Sequence, residues 1–235
     1  MEKLLEKIRE ELKNNSDEKT LASSQRFFKE TIKSYGVKVP VVNKISKEFY
    51  KLIDPRTKTK IFELCECLWQ SGYWEESIIA CNWSYTVHKE YKPEDFQLFE
   101  RWINQYVDNW ASCDTLCNHT VGEFIEMYPG YIERLKDFAR SNNRWIRRAA
   151  AVSLIVPARK GKFLDDIFEI ADILLMDKED LVQKGYGWVL KVVSQANQDK
   201  VFDYVMKNKA VMPRTALRYA IEKMPADLKS RAMEK

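Results

Sequence analysis

Glycine and proline are scarce in this 235-residue chain, at seven of each. A fold made of strands needs turn residues often, so this scarcity argues against an all-β protein and for helices. Long apolar runs are missing too. None approaches the ~20 residues that a membrane-spanning helix requires. The amino terminus, MEKLLEKIREELK, is amphipathic and mixed in charge. It lacks the apolar core of a secretory signal, which makes the cytoplasm the expected location. The five cysteines are an odd number without secretory context, so reduced thiols are expected rather than a disulfide framework. Cys113 and Cys117 lie four apart with His119 close behind, and Cys65 and Cys67 form the other close pair. A structural zinc site usually wants four ligands. The favoured reading of these thiols is therefore buried small side chains, with no metal.

What is present is an ordinary apolar fraction, 45%, with 31% charged residues and a net charge of only +4. That charge is unevenly spread. Residues 1–133 carry 18 basic and 22 acidic side chains, whereas residues 134–235 carry 21 and 13. A basic carboxyl-terminal half points to a surface that meets phosphate.

Apolar spacing predicts a first helix over Glu2 to Asn14, with Leu4, Leu5, Ile8 and Leu12 on one stripe. A second is expected from about Leu21 to Tyr35, stopped by Gly36. Pro40 suits the first turn of a third, running to Tyr50. Asp54-Pro55 is expected to start a fourth, running to about Trp69. Further starts are expected near Tyr73, Pro93, Val107, Pro129, Asn143, Leu164, Asp180, Asp199 and Pro213. The helices keep a rhythm. Val39, Trp74, Trp110, Trp145 and Leu181 are large apolar residues early in successive helices, at intervals of 35, 36, 35 and 36, and Met212 follows after 31. Periods of this length mark helical repeat arrays, in which stacked helix pairs form a curved solenoid with a concave face. The expectation is one continuous all-α domain over residues 1–235, with its basic groove on that face.

Three segments carry more than packing. In DNWASCD, Trp110 and Asp114 are four apart and share a helix face. A ring face and a carboxylate together attract a cation, although a core tryptophan beside a surface aspartate would read the same way. In RWIRRAAAVS, Asn142 or Asn143 can cap a helix whose stripe is Trp145, Ala149, Val152 and Val156. Arg148 lies one position before Ala149, at the edge of that stripe, where a groove can receive it. The plain alternative is that Arg144, Arg147 and Arg148 form a solvated face. In QKGYGWVLK, Gly185 and Gly187 sit inside a helical pattern, where each costs about 1 kcal/mol against alanine. Either something approaches that backbone or a neighbouring helix packs there. Trp188, which follows, reads equally as core.

The pattern W-x-x-x-D, then W-x-x-R-A-A, then Q-K-x-x-G-W-V-L resembles the bacterial alkylpurine DNA glycosylases built from HEAT-like repeats, the AlkD family of DNA alkylation repair enzymes. GVKVP at Gly36 to Pro40 and MPRTALRYAIEKMP near the end extend the resemblance over nearly the whole chain. It implies Asp114 as the catalytic carboxylate and Trp110 as the aromatic against the damaged nucleotide. It implies Arg148 as a groove arginine on the DNA backbone, and Trp188 as a second aromatic lining the groove. Phe27 falls where some members carry tyrosine, so a hydroxyl is missing there, and Asn109 replaces a second bulky residue. Phosphate contacts are implied for Arg144, Arg147, Lys184, Lys191, Arg214 and Arg218, supplying affinity without sequence preference.

The activity so implied is hydrolysis of the N-glycosidic bond of cationic alkylpurines, 7-methylguanine and 3-methyladenine, in duplex DNA. It would need no cofactor and no deep base pocket, and the protein would act as a monomer. A non-catalytic binder of damaged or branched DNA and a protein-binding scaffold are the alternatives.

Overall fold

The computed structural model describes residues 1–28 and 30–234. The chain is all-α, and among the described residues there is no strand, only an isolated parallel bridge between Lys33 and Tyr73. Its helices group into two compact units, residues 1–116 and 117–235.

The first unit holds α1 (Glu2–Asn14), α2 (Glu18–Phe27), α3 (Val39–Tyr50), α4 (Lys58–Gln70), α5 (Trp74–Thr86), α6 (Asp95–Gln105) and α7 (Trp110–Thr115). α1 buries Leu5, Ile8 and Leu12, the expected stripe. α3 opens with Pro40 in its first turn, where the missing N–H costs nothing. α4 begins later than expected. Thr57 caps it by accepting from the Lys60 N–H, so Asp54-Pro55 precedes the helix rather than starting it. α1 packs on α3, α3 on α5, α4 on α5, and α5 on α7. The centre is aromatic: Phe62, Phe99 and Trp102 pack edge-on and tilted, with ring centroids within 5.8 Å of one another.

The second helix is shorter than expected. It ends at Phe27, and Phe28 after it is extended. The segment from Ser34 to Val37 is held instead by a residue about forty positions later. Glu75 at the start of α5 is fully buried, and its carboxylate accepts from Ser34 Oγ and from the backbone N–H groups of Tyr35, Gly36 and Val37. Those N–H groups would otherwise need helical carbonyls, so a buried acceptor replaces the helix as their partner. Glu76 beside it is also fully buried. It accepts from the Tyr35 hydroxyl at 2.7 Å and from Arg9 Nε and Nη2. Gly36 has φ +79° and lies so close to α2 that a Cβ there would come 2.8 Å from the Leu21 Cβ.

The second unit holds α8 (Gly122–Met127), α9 (Ile132–Phe138), α10 (Arg144–Val152), α11 (Ile155–Arg159), α12 (Leu164–Leu174), α13 (Asp180–Val193), α14 (Gln198–Asn208), α15 (Arg214–Ala220) and α16 (Ala226–Met233). α8, α11 and α16 carry no start signal used above. α10 stops at Val152, and Val156, expected on its stripe, lies half-buried in α11 instead. Pro157 has no N–H to offer the Ser153 carbonyl, so one unbroken helix is disfavoured there. α9 and α12 pack on α10, α10 on α13, and α13 on α15.

The rhythm read from the sequence matches these elements. Val39, Trp74 and Trp110 are the first residues of α3, α5 and α7. Trp145 and Leu181 are the second residues of α10 and α13, and Met212 lies just before α15. Within each unit the helices so marked pack on one another in succession, which is the arrangement of a helical repeat array.

Candidate active site

In the first unit the candidate residues gather around the start of α7. Asn109 caps this helix. Its Oδ1 accepts from the Ser112 N–H at 2.9 Å, and its Nδ2 donates to Asp108 Oδ1 at 2.8 Å and to Ser112 Oγ at 3.1 Å. Ser112 Oγ lies 2.7 Å from Ser77 Oγ on α5. Asn109, the departure from the family pattern, is thus the residue that starts the helix, and it holds the Ser112 that joins α7 to α5. A cap of this kind contributes about 1 kcal/mol. Asp114 follows one turn later and is 8% exposed. The chain then enters a π-helical turn, Leu116–Val121. Such turns are frequent at functional sites.

Trp110 is half-buried against an aromatic wall. Its ring centroid lies 5.2 Å from Phe27 and 5.9 Å from Phe28, and Phe28 in turn lies 5.5 Å from Trp74. Phe27 remains 63% exposed. Trp74 Nε1 donates to Ser34 Oγ at 3.2 Å, which joins the wall to the segment held by Glu75. Phe28 and Glu75 carry no motif of their own, and Trp74 shows in the sequence only as a beat of the repeat.

In the second unit, Asn143 caps α10 by accepting from the Trp145 N–H at 2.9 Å. Arg148 is 5% exposed and donates from Nη1 to the Leu181 carbonyl on α13. It lies along Gly185, where an added Cβ would come 3.4 Å from Arg148 Cγ and 3.5 Å from its Nη1. The side chain that approaches the first glycine of QKGYG is therefore Arg148. At Gly187 it is the α15 backbone, with a Cβ falling 2.8 Å from the Ala216 carbonyl oxygen. Trp188 is half-buried.

The other candidate cations are mostly engaged within the unit. Arg147 forks onto Asp177, at 2.5 Å from Nε and 3.3 Å from Nη2, and donates from Nη1 to the Ser141 and Asn142 carbonyls. This ties the start of α10 to the segment before α13. Arg144 lies 3.5 Å from Glu179 and over the Trp145 ring. Lys184 pairs with Asp180, Lys191 with Glu222, and Arg214 donates to the Met233 carbonyl. Arg218 is exposed. The solvated-face reading thus fits Arg144 and Arg147 only in part and does not fit Arg148.

Cys113 and Cys117 are buried, and burial pushes the thiols of Cys65 and Cys81 well up, so they stay protonated. Among the described residues, no group of three or more histidine, cysteine or acidic side chains is placed to hold a metal. No helix among them is long and apolar enough to cross a membrane.

An all-α array of helical repeats, with a capped tryptophan–aspartate helix and a basic helix bearing a buried arginine, defines the class of protein. Comparison with known families narrows it. The family model of the DNA alkylation repair enzymes matches residues 8–224, and the chain belongs to that family. A solved structure described as a predicted DNA alkylation repair enzyme from Enterococcus faecalis superposes with a TM-score of 0.80. It covers 90% of this chain and 98% of its own, and the sequence identity of 19% makes this a likeness of fold. No curated protein sequence matches the chain.

Proposed function

We propose that this chain is a DNA glycosylase for cationic alkylpurines. A purine alkylated on a ring nitrogen already carries positive charge, so its glycosidic bond is weakened without a general acid. As that bond breaks, charge builds on the sugar. The Asp114 carboxylate stabilises this oxocarbenium-like state and orients the attacking water, as carboxylates do in glycoside hydrolysis. Trp110 offers its ring face to the cationic nucleotide, and Arg148 meets the DNA backbone.

The observation that carries this reading is the build of α7. A capped helix sets a half-buried tryptophan against two phenylalanine rings, and one turn on it sets a carboxylate only 8% exposed. A carboxylate largely withdrawn from water acts more strongly on developing charge than one in bulk solvent. Phosphate binding by Arg147, Lys184 and Lys191 would proceed by exchange with their present carboxylate partners, and Arg218 needs no such exchange. Trp188 lines the groove in this reading, and Phe27 meets DNA through its exposed ring without a hydroxyl.

The test is release of 7-methylguanine and 3-methyladenine from methylated duplex DNA by the wild type and by Asp114→Asn. The variant is expected to lose a hundredfold or more in rate, about 3 kcal/mol of barrier, while still binding DNA. Equal release by both would remove Asp114 from the mechanism. Release by neither, with salt-sensitive DNA binding intact, would favour the non-catalytic DNA binder, the reading that the missing hydroxyl at Phe27 supports.

A further inference from the structure

A cleft lies in the first unit, between α3 and α5, and none of the candidate site residues lines it. Its volume is about 620 Å³, inside the ~300–1,000 Å³ range of small-ligand sites. Its lining includes the repeat position that the candidate carboxylate holds in α7: Asn43 stands four residues after Val39, as Asp114 stands four after Trp110. Asn43, Lys47 and Tyr50 line it from one face of α3, Lys51 follows at that helix's C-cap, and Asn82, Trp83 and Tyr85 oppose them from α5.

We infer that this cleft is a subsite for one unstacked purine nucleotide, its base edge met by Asn43 and Asn82 and its phosphates by Lys47 and Lys51. Asn82 Nδ2 donates to Asn43 Oδ1 at 2.9 Å and reaches Ser46 Oγ at 3.4 Å. One amide N–H₂ and one amide C=O of the pair are then left without a partner among the described residues. Turning both amides over leaves the same two groups with their owners exchanged, so a donor beside an acceptor is present either way. That is the pattern with which an asparagine reads adenine, accepting from the exocyclic amine and donating to a ring nitrogen. Trp83 is buried, with Nε1 donating to the Ser46 carbonyl at 2.9 Å, and the half-buried Tyr50 ring stands 6.2 Å from it. Of the two, the Tyr50 ring offers the aromatic face against which a base stacks.

Charge points the same way. No acidic side chain lines the cleft, and neither Lys47 nor Lys51 has an ion-pair partner among the described residues. The two lysines are separated by about 6 Å along the helix axis, so they can serve the phosphates on either side of one nucleotide. Aromatic, amide and paired cationic groups in one cleft match a nucleotide better than a bare phosphate, which would leave the amides unused.

The nucleotide can belong to an unpaired stretch of a DNA strand, in which case the inference rests on the DNA reading above, or it can be free. Fluorescence anisotropy compares a fully paired duplex with the same duplex carrying one unpaired adenosine nucleotide, and calorimetry titrates adenosine 5′-monophosphate. The wild type is expected to bind the bulged duplex at least tenfold tighter than the paired one. Asn82→Leu should bring the two within about twofold. The surface double variant Lys47→Ala, Lys51→Ala should weaken the bulged complex and lower its salt slope by about 0.7–0.9 per lost contact. Equal affinity for both duplexes in the wild type, or an advantage that survives both variants, overturns the strand-borne site while leaving the DNA reading in place. If no duplex binds, the DNA reading fails, and the monophosphate decides the cleft. Saturable binding lost in both variants supports a free-nucleotide site, and no binding overturns it.

Discussion

Replacing Gly187 by alanine would place a methyl carbon 2.7 Å from the Tyr219 Cβ and 2.8 Å from the Ala216 carbonyl oxygen. Both contacts are with rigid parts of α15, so α13 and α15 must move apart. Forcing a methyl into a packed interface costs typically 1–3 kcal/mol, and backbone neighbours place this case near the upper end. The change also recovers the ~1 kcal/mol that glycine costs in a helix interior. The net expectation is a destabilisation of about 2 kcal/mol, or roughly 4–8 °C in Tm for a chain of this size. Gly185→Ala is the internal control. Its nearest contacts, with the Arg148 and Val152 side chains, are 3.4–3.5 Å. There the helix gain of up to ~1 kcal/mol should survive. Urea unfolding of the two variants beside the wild type measures the difference, expected at about 3 kcal/mol when the two effects are combined. A Gly187→Ala protein as stable as wild type would mean that close packing of α13 on α15 is not why glycine stands there.

Three further outcomes are expected. Glu75→Gln keeps one carbonyl oxygen for its donors but turns an amide N–H₂ toward the Tyr35 N–H, so the protein should lose about 2 kcal/mol. Hydrogen exchange at Tyr35 to Val37 should accelerate, and unchanged protection there would refute the anchoring role. Burial raises the Glu66 carboxyl, but hydrogen bonds from Tyr106, Trp102 and Arg101 outweigh it and hold the group below its usual range. Its contribution to stability is therefore full above the unfolded value near ~4.3 and is lost as pH falls through the lower folded value. Unfolding measured from pH 6 to pH 3 should show wild type and Glu66→Gln converging at the acid end, whereas a constant gap would contradict the sign. Arg148→Ala should weaken binding to all duplexes alike, seen as parallel losses across unrelated sequences, and a changed sequence preference would refute a backbone contact.

The sequence by itself determined the helical class, the period of the repeat and most of the helix starts. These rest on local causes: apolar spacing, caps such as Asn143, and proline at a first turn. It also placed Trp110 and Asp114 one turn apart, because residues i and i+4 share a face in any helix. What only the tertiary structure decided depends on partners far along the chain. α2 stops at Phe27, and the backbone of Tyr35 to Val37, where that helix is expected to end, is held by Glu75 about forty residues later. Gly185 and Gly187 look alike in sequence, yet one accommodates a side chain and the other a helix backbone. Arg147 and Arg148 are neighbours on α10, but the first is clamped by Asp177 while the second is buried beside Gly185. Adjacent helix positions point about 100° apart, so their fates are set by whatever packs on each face. That information belongs to contacts between elements, and it becomes legible only when the chain is folded.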